Sequence, residues 1–199
     1  MALQKVKKTG FTSSTAKEYV INAGALYMNL EWDTENGWQG EPIGATNGGS
    51  TVTVENEYRE IDIDGVFTSH VGGKVLTGSA MRLAANIKSI TAQTIKMALN
   101  GEITQGDGTL YPTGSTIVEG KGAIEDSDYL KNVAIVGEYS GSSEPIIIML
   151  DNALSIEGLD MAMEDDDEAV IEITWEAHAD ADQVADRKLP GRIIFPAKD

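Results

Sequence analysis

Between Val20 and Leu30 the chain is dense in strand-forming residues (Val20, Ile21, Leu26, Tyr27, Leu30), and Gly24 interrupts the run. The pattern predicts a strand over 18–31 with a bulge or close backbone approach at the glycine. Thr51, Val52, Thr53 and Val54 alternate strictly, which predicts a half-buried strand running on to Ile63. Apolar residues then change parity at Ile61 and Ile63, so a bulge, or a strand passing from one sheet to another, is expected there. Ser79 to Ile90 places Met81, Leu83, Ala85 and Ile87 on one face of a further strand. The period changes to that of a helix once. Ile95, Ala98 and Leu99 form a stripe behind an N-cap at Ser89 or Thr91, and Asn100-Gly101 closes it. That predicts a helix of about three turns with one face free to lie on a sheet. Strands at close spacing follow over Tyr129–Tyr139, Pro145–Leu150, Ala153–Met163 and Ala169–Ala177, with a last apolar piece at Arg192–Phe195.

The connections carry as much information as the strands. The segment from Trp32 to Gly49 holds five glycines and two tryptophans, Trp32 and Trp38, and reads as a long loop. Loops of that length are usually functional or disordered, and tryptophan is costly to leave in water, so a contact is expected there. Gly65 to Gly78 is a second glycine-rich connection, and 102–128 reads as an inserted loop carrying a short hairpin. The acidic run Glu164–Glu168 reads as a solvated hairpin turn. Many short strands with one helix indicate a mainly β (α+β) fold, a two-sheet β-sandwich flanked by one α-helix. The expected organisation is a flexible N-terminal arm at 1–17, a domain over 18–180 and a C-terminal arm over 181–199.

Composition narrows the function. The chain has 199 residues and a formal net charge of −17, which opposes ordinary nucleic-acid binding because phosphate contacts need basic patches. An acidic surface also keeps a protein soluble, and in a conduit it would let DNA slide rather than stick. There is no cysteine, so disulfides and thiolate metal sites are excluded. No apolar run long enough to span a membrane occurs, and the basic first residues lack the apolar core of a secretory signal. His70 and His178 have no partner at zinc spacing. Glu60-Ile-Asp62-Ile-Asp64-Gly65 has calcium-loop spacing, but Val71 stands where the bidentate glutamate belongs. No nucleophile elbow or phosphate loop is present. No catalytic residue, metal or cofactor is expected.

Several pieces, taken in order, resemble the major tail tube proteins of long-tailed bacteriophages. AGALYMNL is similar to that family's first strand, IGATNGGS to the turn entering the next strand, and VTVENEYREIDIDG to that strand, closing in Asp64-Gly65. SITAQTIKMALNG resembles the family's single helix, and EDDDEAVIEITWEAHAD its charged turn and last long strand, ending near Ala177-His178. The insert at 102–128 and the tail beyond Asp180 depart from the family pattern. The resemblance implies a non-enzymatic virion protein of the phage tail whose sandwich assembles as hexameric rings. The rings stack into a hollow tube through which DNA passes without specific binding and without a membrane partner. Partners would be copies of itself and the tail's initiator, terminator and tape-measure proteins.

On this reading Trp32, Trp38, Ile43 and Phe11 are the expected interface residues, and Glu55, Glu57 and Asp62 the expected lining of the bore. The inner tube of a contractile tail or of a tail-derived bacteriocin is a close alternative. A carbohydrate-binding β-sandwich presenting Trp32 and Trp38 to a sugar is a rival of another class, and an acid-catalysed hydrolase a third.

Overall fold

The computed structural model describes residues 10–163, 165 and 168–197. Residues 1–9 of the expected N-terminal arm, and Glu164, Asp166 and Asp167 of the acidic run, lie outside the described residues. The chain runs β1 (Val20–Asp33), β2 (Gly37–Pro42), β3 (Thr46–Glu60), β4 (Lys74–Ile87) and α1 (Ala92–Leu99). It continues through β5 (Glu102–Gln105), β6 (Thr116–Glu119), β7 (Leu130–Tyr139) and β8 (Ile146–Ser155). The last elements are β9 (Asp160–Ala162), β10 (Val170–Glu176), α2 (Ala181–Asp186) and β11 (Gly191–Ile194).

The expectation of two separate sheets is corrected to one continuous antiparallel sheet and a small hairpin. The sheet runs β2-β1-β7-β8-β10-β4-β3, with β11 on β8 and β9 on β10, while β5 and β6 pair only with each other. The junction is β8. One of its edges carries β7 from Leu130↔Ala153 to Gly137↔Ile146. Its other edge carries β11 from Gly191↔Leu150 to Ile194↔Ile147, and then β10 only at Ser155↔Trp175 and Leu154↔Glu176. The short β8–β10 seam lets the sheet fold over, so its two halves enclose one core. Leu26, Met28, Val133, Ile135 and Leu150 come from one half, and Met81, Leu83, Ile87, Ile171, Ile173 and Trp175 from the other.

Parity explains this burial. Met81, Leu83, Ala85 and Ile87 alternate inward as the sequence predicts, and Ile171, Ile173 and Trp175 do the same on β10. Central strand β8 is apolar at successive positions because both of its faces are covered. Leu150 faces the shared core, while Ile147 and Met149 join Leu30 and Ala134 in a second cluster against Tyr27, Trp38, Val136 and Ile194.

α1 closes the core with Thr94, Met97 and Ala98. Thr91 is its N-cap, in a reciprocal capping box with Thr94, and Asn100 ends it in the left-handed region at φ 47. It has 8 residues, a turn shorter than expected. The short hairpin expected in the insert is present as β5–β6.

Three expectations are corrected. The long loop at 32–49 is mostly a β-hairpin, in which β2 pairs with β1 from Tyr27↔Pro42 to Asp33↔Gly37. Asp33 Oδ1 makes its turn by accepting from the amides of Glu35 and Asn36 at 2.9 and 2.7 Å. Gly40 is a packing residue: a β-carbon there would meet Leu30 Cδ1 at 2.9 Å. Pro145–Leu150 and Ala153–Met163 are not two strands, because β8 runs through Asn152 in the left-handed region, φ 44. The expected single helix is joined by α2 in the residues beyond 180, where β11 also pairs with β8.

The bulge expected in β1 is present. The β1–β7 register shifts between Ile21 and Ala25, around Gly24 at φ +74. A Cβ on Gly24 would meet Ile135 Cγ2 at 2.8 Å. The β3–β4 register shifts between Glu57 and Tyr58, but the extra residue is Thr77 on β4, while Ile61 and Ile63, where a bulge or sheet change is expected, lie past the end of β3.

Candidate assembly surfaces

Strand β3 is the longest in the fold, 15 residues, and it ends the sheet, so its far edge has no strand partner among the described residues. β2 ends the sheet on the other side. Beyond Glu60 the β3–β4 hairpin continues into a tip, 61–73, that is exposed throughout except near its end. Ile63, Val66, Phe67 and Val71 are exposed there, Phe67 at 96%. The tip is held by the amide of Ile61 donating to the Gly73 carbonyl at 2.7 Å.

The outward face of the β10-β4-β3 half is polar and acidic. Directly opposed residues in an antiparallel pair share a face. Val52 and Val54 stand opposite the buried Leu83 and Met81 and so share the inward parity. Thr53, Glu55 and Glu57 therefore point outward, opposite Arg82, Ala80 and Gly78. Glu172 and Glu176 are on the same face, opposite Asn86 and Arg82.

Arg82 is the cation at the centre of this face. Its Nε donates to Glu176 Oε2 and its Nη1 to Glu55 Oε2, each at 2.7 Å. These bonds, Glu176 first and then Glu55, hold the guanidinium above its already high ordinary range. Of the expected bore-lining residues, Glu55 and Glu57 thus share a strand face, and Asp62 lies past the strand in the tip. Glu172, Glu176 and Arg82 were missed, although the alternation Ile171, Ile173, Trp175 against Glu172, Thr174, Glu176 marks the two glutamates' side in the sequence.

The outward face of the other half is aromatic. Trp32 and Trp38 are registered partners across the β1–β2 hairpin, with ring centroids 5.4 Å apart and planes at 67°. They meet edge to face and do not form a coplanar platform of the kind that stacks on a sugar ring. Trp32 is 58% exposed, and Trp38 is half-buried against the second cluster. A groove beside them is lined by Lys131, Asn132, Asp151 and Arg192. Asn132 sits under it, exchanging hydrogen bonds with the Leu30 backbone at 2.7 and 3.0 Å. Asp151 accepts from Arg192 and, at 3.1 Å, from Gln183, tying β11 and α2 to β8.

The other expected interface residues do not join this face. Ile43 is buried in the core at 6% exposure, with its amide donating to the Leu26 carbonyl, and offers no surface. Phe11 is exposed at 64% near the start of the described chain. No group of three or more metal-ligating side chains occurs among the described residues. No helix among the described residues is long and apolar enough to cross a membrane.

No protein-family model and no curated protein matches the chain. Solved structures with a similar fold do exist. One is a chain of an extracellular contractile injection system, the PVC sheath-tube complex in its extended state. It is 18% identical at a TM-score of 0.45, covering 86% of this chain and 96% of that one. Another comes from the tail of an empty gene transfer agent particle refined with C6 symmetry, 12% identical at a TM-score of 0.43, covering 88% and 96%. A third is from the baseplate of the anti-feeding prophage, 6-fold symmetrised, 12% identical at a TM-score of 0.40, covering 89% and 97%.

Proposed function

We propose that this chain is a structural, non-enzymatic subunit of the tail tube type that closes with copies of itself into rings and stacks them into a hollow tube. The observation that carries the reading is β3, a 15-residue strand with a free edge at the end of the sheet. A long unpaired edge is a template for pairing with another chain. Ring closure satisfies every such edge at once. The acidic face adjoining that edge, with Glu55, Glu57, Glu172 and Glu176, then lines the bore and repels the phosphates of DNA passing through. The ring is a hexamer and the tail that of a long-tailed phage, as the sequence resemblance implies. The tail's initiator, terminator and tape-measure proteins are the further partners.

Negative-stain electron microscopy of the purified chain across a concentration series tests this. Rings or hollow tubes of uniform width are expected, appearing above a threshold concentration. A monomer at every concentration, with no oligomer in sedimentation either, overturns it.

A further inference from the structure

A further groove lies between the root of the β3–β4 hairpin and α2. Its volume is about 470 Å³, and Arg59, Leu76, Thr77, Ser79, Val184 and Arg187 line it. It is unusual for this chain because it is basic. Arg82, Lys88, Lys121, Lys131, Lys188 and Arg192 each form an ion pair with an acidic side chain. Arg59 and Arg187, like Lys17, Lys74 and Lys96 elsewhere, have no ion-pair partner among the described residues, and they alone of these five line this groove. The same lining carries apolar surface, since Leu76 is 40% and Val184 63% exposed.

The complementary surface is on the same chain but does not fill this groove, whose lining includes nothing from 61–73. That hairpin tip alternates acid and apolar residues, Ile61-Asp62-Ile63-Asp64, and then exposes Phe67 and Val71. Two different, mutually complementary patches on one chain make a head-to-tail contact, the kind that generates rings or filaments. We infer that the groove receives the acidic, apolar hairpin tip of a second copy, with Arg59 and Arg187 facing Asp62 and Asp64. Leu76 and Val184 then take the apolar side chains. This rests on the assembly reading above and adds to it which surfaces meet. Guanidinium–carboxylate pairs partly desolvated at such a contact set register and partner choice.

The chain has no cysteine, so disulfide trapping is specific. A Ser79→Cys chain, with the thiol in the groove, is mixed with a Ser69→Cys chain, with the thiol on the tip, and oxidised. The mixed disulfide dimer is expected to exceed either homodimer by about tenfold. Adding Arg59→Glu and Arg187→Glu to the groove chain removes the excess. Adding Asp62→Lys and Asp64→Lys to the tip chain then restores it. If the reversed groove chain melts early, Arg59→Gln with Arg187→Gln replaces it and a partial loss is expected. No excess of mixed dimer, in chains that still associate by sedimentation, overturns this contact and leaves the assembly reading standing. No trapping together with a monomer in sedimentation overturns both.

Discussion

Arg82 and Glu176 stand directly opposite each other in the β4–β10 register and are joined by a 2.7 Å charge-assisted hydrogen bond. The same guanidinium reaches Glu55 on the far side of β4, so one cation holds together carboxylates from β3 and β10. Arg82→Met leaves those carboxylates facing one another with nothing between. The expected outcome is a melting temperature lowered by a few degrees in low salt, with the deficit shrinking as salt screens the repulsion. A deficit that does not change with salt would show that packing of the arginine stem, rather than charge, is what was lost.

The Trp32–Trp38 pair predicts a measurable coupling. An edge-to-face aromatic pair contributes about 0.5–1.5 kcal/mol beyond the area it buries. A double-mutant cycle of Trp32→Ala and Trp38→Ala, read by urea denaturation, is expected to return a coupling of about that size. Trp38→Ala is expected to cost more than Trp32→Ala, because Trp38 also covers the cluster of Leu30, Ile147 and Met149 whereas Trp32 is mostly exposed. A coupling near zero would mean the two rings are held independently.

How far the sequence reaches is visible in these same elements. Strict alternation names the inward residues of β4, but the parity break at Ile61 and Ile63 falls beyond β3 and does not mark the irregularity at Thr77 of β4. Gly24 announced the bulge in β1. The caps of α1 were legible because Thr91 and Asn100 are chemically suited to those backbone conformations. The hairpin of β1 with β2 was hidden because Gly37 and Gly40 read as loop residues. One supplies a turn at φ +76 and the other makes room for Leu30. β8 reads as two strands because asparagine's suitability for the left-handed region makes Asn152 look like a turn, whereas the structure keeps it inside the strand at φ 44. The groove between the hairpin and α2 was not readable at all, since it joins residues more than 100 positions apart in the chain.

Acid is expected to loosen the turn that follows the insert before the core. Asp128 accepts from Lys121 Nζ at 2.7 Å and from the Glu125 amide at 2.9 Å. The Lys121 bond first, and then the Glu125 amide, hold its carboxyl below the ordinary value of 3.8. Asp33 is lowered in the same sense by the Asn36 and Glu35 amides. A carboxyl that titrates lower in the folded chain stabilises it fully above its unfolded value. That contribution disappears as the pH falls through the lower, folded value. Melting temperature is therefore expected to drop below about pH 4, where unfolded aspartates begin to protonate. Asp128→Asn is expected to be less stable than the parent at neutral pH and to lose less on acidification. Parallel dependence of melting temperature on pH for parent and variant from pH 6 to pH 3 would exclude Asp128 as a contributor.

Folding and assembly are separable on β3 and β4, because their registered residues see different surroundings. Leu83 stands opposite Val52 and is fully buried between β3, β10 and the opposing half of the sheet. Leu83→Ala leaves a cavity there and is expected to cost about 2–5 kcal/mol in urea denaturation. Val54 is two residues along the edge strand and shares the inward parity, yet it is 44% exposed. Val54→Thr is expected to change the monomer's stability by less than about 0.5 kcal/mol. If β3 is the edge that pairs between copies, the same substitution buries a hydroxyl at the new contact and raises the concentration needed for tubes. A Val54→Thr chain that assembles like the parent would place the contact away from this part of β3, whereas a late-assembling chain with unchanged folding separates the two roles of the strand.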